Sequence, residues 1–294
     1  MAFPSAAAPQ VIALATLSAA CFGAALVTTY SGLRHMHALS GARVSIPTAT
    51  VLFWMSAPFL DLSGWQAAAA GIFALVGIFF PAAVTLLTFA ANERLGPTVA
   101  GTIGSTAPLF AVFGAALFLS EPLGARELIA TAVIVLGSMM LTGPGSSTAG
   151  ARPRAALWLP WSAAVLRALA QVMSKAGLAL WPNPFAAALV GYSVSAAAVW
   201  AVPALDRRSQ AFAFSGRGVV WFALTGMLNG GAVLAMYCAL NSGPVFLVSP
   251  IVATYPVFTL ALSALALGGE RLSGMLFAGV ALTVTGVAVL LARW

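Results

Sequence analysis

The sequence predicts an all-α integral membrane protein with ten transmembrane helices, arranged as two inverted five-helix repeats around a central cavity. Three observations support this prediction. Of 294 residues, 61% are hydrophobic and 6% are charged, whereas a soluble domain is about one quarter charged. The apolar residues form ten segments close to the ~20 residues that cross a bilayer as a helix. A motif in the first half of the chain also recurs in the second half.

The ten segments use most of the chain and leave connections too short for a separate soluble domain. The first segment follows a stretch, Met1 to Pro9, that holds no Lys or Arg, so we interpret it as a retained helix rather than a signal peptide. We predict helices over residues 9–31, 43–60, 66–91, 97–119, 124–142, 156–180, 184–202, 217–240, 245–267 and 272–292.

The repeated motif begins in the third helix and returns in the eighth. Phe73-Ala74-Leu75-x-Gly77 recurs as Phe222-Ala223-Leu224-x-Gly226 at an offset of 149 residues. Each copy has an odd number of crossings, so the second copy must be inverted relative to the first. The Gly-, Pro- and Ser-rich stretch 142–154 has the composition of a linker. We therefore assign residues 1–146 to an N-terminal repeat and 147–294 to a C-terminal inverted repeat.

The last two helices of each half follow one plan. Gly96-Pro97 opens the fourth helix and Gly243-Pro244 opens the ninth, where proline suits the first helical turn. Glu121-x-Leu123 precedes Gly137 in the fifth helix at the spacing at which Glu270-x-Leu272 precedes Gly286 in the tenth.

With these motifs the chain resembles the EamA-type ten-helix members of the drug/metabolite transporter superfamily. Their repeats end with a helix holding a mid-membrane proline, a Glu-x-Leu turn and a Gly-bearing last helix, and the prolines here are Pro108 and Pro256. The resemblance implies export of small metabolites by alternating access, with helices one, three, four, six, eight and nine around the cavity. It is nearest to bacterial exporters of aromatic and neutral amino acids, which implies a multi-pass protein of the bacterial inner (plasma) membrane.

The sixth helix carries the sharpest site signal, because charges at membrane depth are costly and rare. Arg167, Gln171 and Lys175 follow one another at four-residue spacing and share one helix face. We predict that this stripe borders the cavity and binds a carboxylate of the solute, the alternative for both cations being snorkelling to the headgroups. All six acidic residues fall at or beyond helix ends, so no protein carboxylate is expected beside them, and a proton-coupled cation exporter is disfavoured.

Other polar and aromatic residues join this predicted site, although ordinary helix packing is the alternative for each. They are Asn229 and Tyr237 in the eighth helix, Ser105 and Tyr255 in the fourth and ninth, and Trp161, which precedes Arg167. Helix breaks or gates are predicted at Pro81, Pro108, Pro250 and Pro256, since a proline frees backbone groups that a solute or water must satisfy.

Several functional classes are disfavoured. The sequence has no nucleotide-binding motif, metal-ligand cluster or catalytic constellation, so we expect no cofactor and no metal, and a membrane-embedded enzyme or a structural or receptor protein is the remaining alternative class. The expected partners are a small solute such as an amino acid or similar zwitterion, and the lipid bilayer, but not nucleic acid. An antiporter of anionic metabolites, such as a sugar phosphate or nucleotide sugar, is the second hypothesis. Loop arginines favour termini outside the cell, whereas the resemblance implies cytoplasmic termini, and the oligomeric state stays open.

Overall fold

The structure, a computed structural model, describes residues 8–60, 62–95, 97–142, 156–201, 215–267 and 274–292. In these ranges every regular element is a helix. The α-helices are α1 (Ala8–Leu33), α2 (Ala38–Ser56), α3 (Ala67–Gly77), α4 (Val84–Leu95), α5 (Pro97–Gly104), α6 (Ala107–Leu119), α7 (Ala125–Thr142), α8 (Trp158–Leu180), α9 (Pro184–Ala201), α10 (Gly216–Ser242), α11 (Val245–Val252), α12 (Tyr255–Leu267) and α13 (Gly274–Leu291). A 3-10 turn (Ala57–Phe59) follows α2, and a π-helical turn (Ile78–Ala83) joins α3 to α4.

These helices form ten spans, and the predicted fold class is confirmed. The third span combines α3, the π-helical turn and α4, the fourth combines α5 and α6, and the ninth combines α11 and α12. Among the described residues, nine helical stretches are long and apolar enough to cross a membrane. The span not among these nine is α2, the second along the chain, which starts at Ala38 rather than at the predicted residue 43. Arg43 lies in the second turn of this helix and is buried beside Trp200, with the guanidinium 5.4 Å from the ring centroid.

Equivalent helices of the two repeats run in opposite directions. In the last spans, Gly137 of α7 meets Thr283 of α13, and Ile134 meets Gly286, so the two helices are antiparallel. In the second and seventh spans, Arg43 lies over Trp200 whereas Phe53 packs on Phe185, which gives the same antiparallel sense. The prediction of inverted repeats is therefore confirmed. We call the side of the membrane where α1 begins the terminal side, and the other the opposite side.

The duplicated motif is a packing motif. Gly77 lets the backbone of Gly191 in α9 come close, and its equivalent Gly226 does the same for the backbone of Ser45 in α2. A Cβ at either position would overlap that backbone, which has no room to move aside. The motif is written twice because two-fold pseudo-symmetry makes the same close contact twice.

The fourth and ninth spans are broken in the same way. Each consists of a helix of eight residues and a helix of 13 residues, joined by two residues. At each junction a threonine hydroxyl donates a hydrogen bond to the carbonyl three residues back, Thr106 to Ile103 at 2.6 Å and Thr254 to Ile251 at 2.8 Å. The third span is interrupted at Phe80, whose φ of −140° and ψ of 123° are not helical.

Candidate functional site

A cavity of about 310 Å³ lies between the two repeats. It is bordered by Phe22 to Thr29 of α1, Val84 to Ala91 of α4 and Pro160 to Gln171 of α8, which lie mainly in the halves of the first, third and sixth spans nearer the opposite side. It also reaches Thr142, the last residue of α7 on that side. The cavity therefore extends from the middle of the membrane toward the opposite side. Its volume is at the lower end of the ~300–1,000 Å³ usual for small-molecule sites.

The cavity wall is mostly apolar and carries one charge. Arg167 is the single charged side chain among the described residues that line it, and no carboxylate lines it. The apolar part of the wall includes Phe22, Leu26, Phe80 and Met236. A small solute with both a charged and an apolar part matches such a wall better than a fully polar one does.

Four polar atoms on this wall are buried and unpaired. Within the described part of the chain, no hydrogen-bond partner exists for Arg167 Nε and Gln171 Oε1 of α8, Tyr192 Oη of α9 or Ser249 Oγ of α11, and all four residues line the cavity. Leaving a buried polar group unsatisfied costs about 1–3 kcal/mol. Because all four residues line one cavity, they are the polar groups nearest to a solute bound there.

The helix breaks add backbone acceptors to the same space. Pro108 has no N–H to donate to the carbonyl of Gly104, four residues back, and Pro256 has none for the carbonyl of Val252. Gly104 and Val252 both line the cavity, and they are the last residues of α5 and α11. The carboxyl end of a helix carries partial negative charge, so these two ends favour a positively charged group between them.

The residues of the predicted site divide into two groups. Those that line the cavity are Arg167, Gln171, Asn229, Ser105, Tyr255, Pro81 and Pro108. Those that lie outside its lining are Lys175, Tyr237, Trp161, Pro250 and Pro256. Trp161 is 44% exposed and its ring packs edge-on against Phe110, with centroids 6.0 Å apart. Pro250 lies inside α11, which continues to Val252.

Of the four cavity residues with unpaired polar atoms, Tyr192 and Ser249 were not in the predicted site. Tyr192 is 2% exposed and stands in α9, a helix without a polar stripe, so no spacing pattern in the sequence marks it. Ser249 is 1% exposed and belongs to the polar residues near the breaks of the ninth span. That clustering beside Pro250 was the one available signal.

Lys175 contacts the protein rather than the cavity. Its Nζ donates hydrogen bonds to the carbonyls of Leu240 at 2.6 Å and Gly243 at 2.9 Å, at the carboxyl end of α10. Burial raises the pKa of the Glu121 carboxyl, and the positive charge of Lys175 is close enough to offset part of that rise. The expectation that no protein carboxylate lies near the two cations was therefore wrong for Lys175. Glu121 stands at a helix end in the chain but inserts beside another helix in the fold.

The two short half-helices differ in burial although the repeat makes them equivalent. All eight residues of α11, on the terminal side, are buried. In α5, on the opposite side, Ala100 is the one buried residue among the described side chains 99–104. The site is thus sealed toward the terminal side and less closely packed toward the opposite side.

Comparison with known proteins places this arrangement in a family. The model of the EamA-like transporter family matches residues 10–143 and again residues 154–292, once for each repeat. A solved structure, described only as the crystal structure of a protein, shares the fold with a TM-score of 0.81, at 17% sequence identity over 97% of both chains. None of the curated proteins compared with the chain matches it. The chain belongs to the EamA-like transporter family and is a multi-pass membrane transporter of the drug/metabolite type.

Proposed function

We propose that this transporter exports small zwitterionic metabolites, above all aromatic and neutral amino acids, across a bacterial inner membrane by alternating access. The observation that carries the proposal is the buried, unpaired Nε of Arg167 on a cavity wall that holds no other charge among its described residues. A solute carboxylate placed there would receive a charge-assisted hydrogen bond, which is stronger than a neutral one.

The remaining unpaired groups suit the other polar end of an amino acid. Gln171 Oε1 is a buried acceptor without a partner, and the carboxyl ends of α5 and α11 add backbone acceptors. An ammonium group has three N–H donors and no acceptor, so it is complementary to such a set. The hydroxyls of Tyr192 and Ser249 can donate or accept, and so can serve either end of the solute.

The apolar wall supports an aromatic or aliphatic side chain. Phe22, Leu26, Phe80 and Met236 offer contact area without charge. Burying a side chain of this kind contributes about 1.5–3 kcal/mol. We infer that this term, rather than additional hydrogen bonds, distinguishes aromatic and large neutral amino acids from small polar ones.

Exchange of anionic metabolites is the second candidate. A sugar phosphate or nucleotide sugar carries more negative charge than one arginine balances, and Lys175 does not line the cavity to supply a second cation. The single cation therefore favours a solute with one carboxylate over one with a phosphate ester.

Counterflow in proteoliposomes tests the proposal. Vesicles loaded with unlabelled phenylalanine or leucine should take up the same labelled amino acid faster than vesicles without protein, whereas vesicles loaded with a hexose phosphate should not take up labelled hexose phosphate. Exchange of the phosphate ester with no exchange of any neutral amino acid would replace the proposal with the second candidate.

A further inference from the structure

Glu121 connects the two repeats at the closed end of the cavity. Its two carboxylate oxygens accept hydrogen bonds from the backbone N–H groups of Val245 at 2.9 Å and Phe246 at 3.2 Å. Glu121 follows α6 in the first repeat, whereas Val245 and Phe246 begin α11 in the second. These N–H groups have no partner within their own helix, so the carboxylate caps it.

We propose that Glu121 is the positioning residue of the terminal-side gate, holding α11 against the closed end of the cavity. Alternating access requires one repeat to move against the other around the site. A cap formed by one repeat on a half-helix of the other must break during that motion, since its two partners separate. The assignment to a transport cycle rests on the proposed function, but the contact itself does not.

The surroundings of Glu121 hold the cap in place. Lys175 of α8 donates to the carbonyls of Leu240 and Gly243, directly before α11 begins, and so holds the α10–α11 corner beside the carboxylate. In α7, Arg126 donates to the carbonyl of Val289 and Glu127 stands in the first turn. Among the described residues of α10 and α11 near the cap, none is charged. Lys175 is therefore the positive charge that acts on the Glu121 carboxylate.

Hydrogen–deuterium exchange measures the gate without any solute. The peptide covering residues 243–252 contains the amides of Val245 and Phe246. Glu121→Ala removes both acceptors and should speed exchange of this peptide about tenfold or more. Glu121→Gln keeps one acceptor, so its exchange should lie between that of the wild type and that of Glu121→Ala.

One further variant separates a gate from general loosening. Glu127→Gln removes a carboxylate on the same side of the protein and should leave exchange of this peptide as in the wild type. Exchange in Glu121→Ala equal to wild type would overturn the gate.

The same variants in proteoliposomes link the gate to transport. Glu121→Ala should change the rate of counterflow, whereas Glu127→Gln should keep the wild-type rate. If no amino acid exchanges in the wild type, the proposed function fails while the hydrogen–deuterium exchange measurement still decides the gate. Wild-type counterflow in Glu121→Ala, in protein whose 243–252 peptide exchanges hydrogen faster, would refute the link between the cap and transport.

Discussion

Replacing Arg167 with methionine tests the solute-binding site most directly. Methionine keeps the apolar stem of the side chain as far as the position of Nε, and it removes a buried Nε that has no partner in the described structure, so the fold should be retained. A hydrogen bond to a charged group contributes about 1.5–3 kcal/mol. At about 1.4 kcal/mol per factor of ten, the variant should bind its amino acid about 10 to 150 times more weakly.

A solute series shows whether the lost energy belongs to the carboxylate. Binding of phenylalanine to purified protein is compared with binding of phenethylamine, which has the same ring and amine but no carboxylate. In the wild type, changing phenylalanine to phenethylamine should cost about as much binding free energy as replacing Arg167 does. In Arg167→Met the same change of solute should cost little, because both changes remove the same contact. Arg217→Met, an exposed arginine at the start of α10, is the matched control. Equal discrimination between the two solutes in wild type and Arg167→Met would refute the assignment.

Three further predictions follow from burial and packing. Gln171→Leu should raise the thermal midpoint of the solute-free protein, because it removes a buried acceptor whose lack of a partner costs about 1–3 kcal/mol. The same variant should weaken counterflow. A lowered midpoint would mean that the amide is already satisfied. Ser249→Ala should slow transport while leaving thermal stability unchanged or higher, measured in the same two assays. Gly286→Ala should lower stability by about 1–3 kcal/mol, since its Cβ would lie 2.7 Å from Ile134 Cγ1. The control Gly231→Ala has open space around its Cβ and should be neutral or stabilising. Equal stabilities of the two variants in reversible unfolding would contradict the packing argument.

The composition and the repeat predicted the fold because both act on the whole chain. In a bilayer every backbone polar group must bond within its own segment, so apolar runs of this length become helices. Helix ends were less accurate, since α2 begins at Ala38, five residues before the predicted start at residue 43. The predicted boundary between the repeats, and Glu270 with its Glu-x-Leu motif, lie outside the described residues.

The site was only partly predictable because residues that share a helix face meet different neighbours at different heights. Arg167 and Lys175 are eight positions apart, about 12 Å along α8. That distance places Arg167 in the cavity and Lys175 beside the end of α10. Tyr192 shows the opposite case, an aromatic residue with no spacing signal that packing turns toward the cavity.

The sequence by itself determined a membrane protein of ten spans in two inverted copies, since hydropathy and an odd-numbered repeat leave no other arrangement that satisfies the backbone and the bilayer. Only the tertiary structure decided which polar groups share the cavity and which side of it is closed. Both depend on helix rotation and depth, which are set by close contacts such as Gly77 with Gly191 and by the cap of Glu121 on α11. Those contacts join residues more than 100 positions apart, and spacing along the chain carries no record of them.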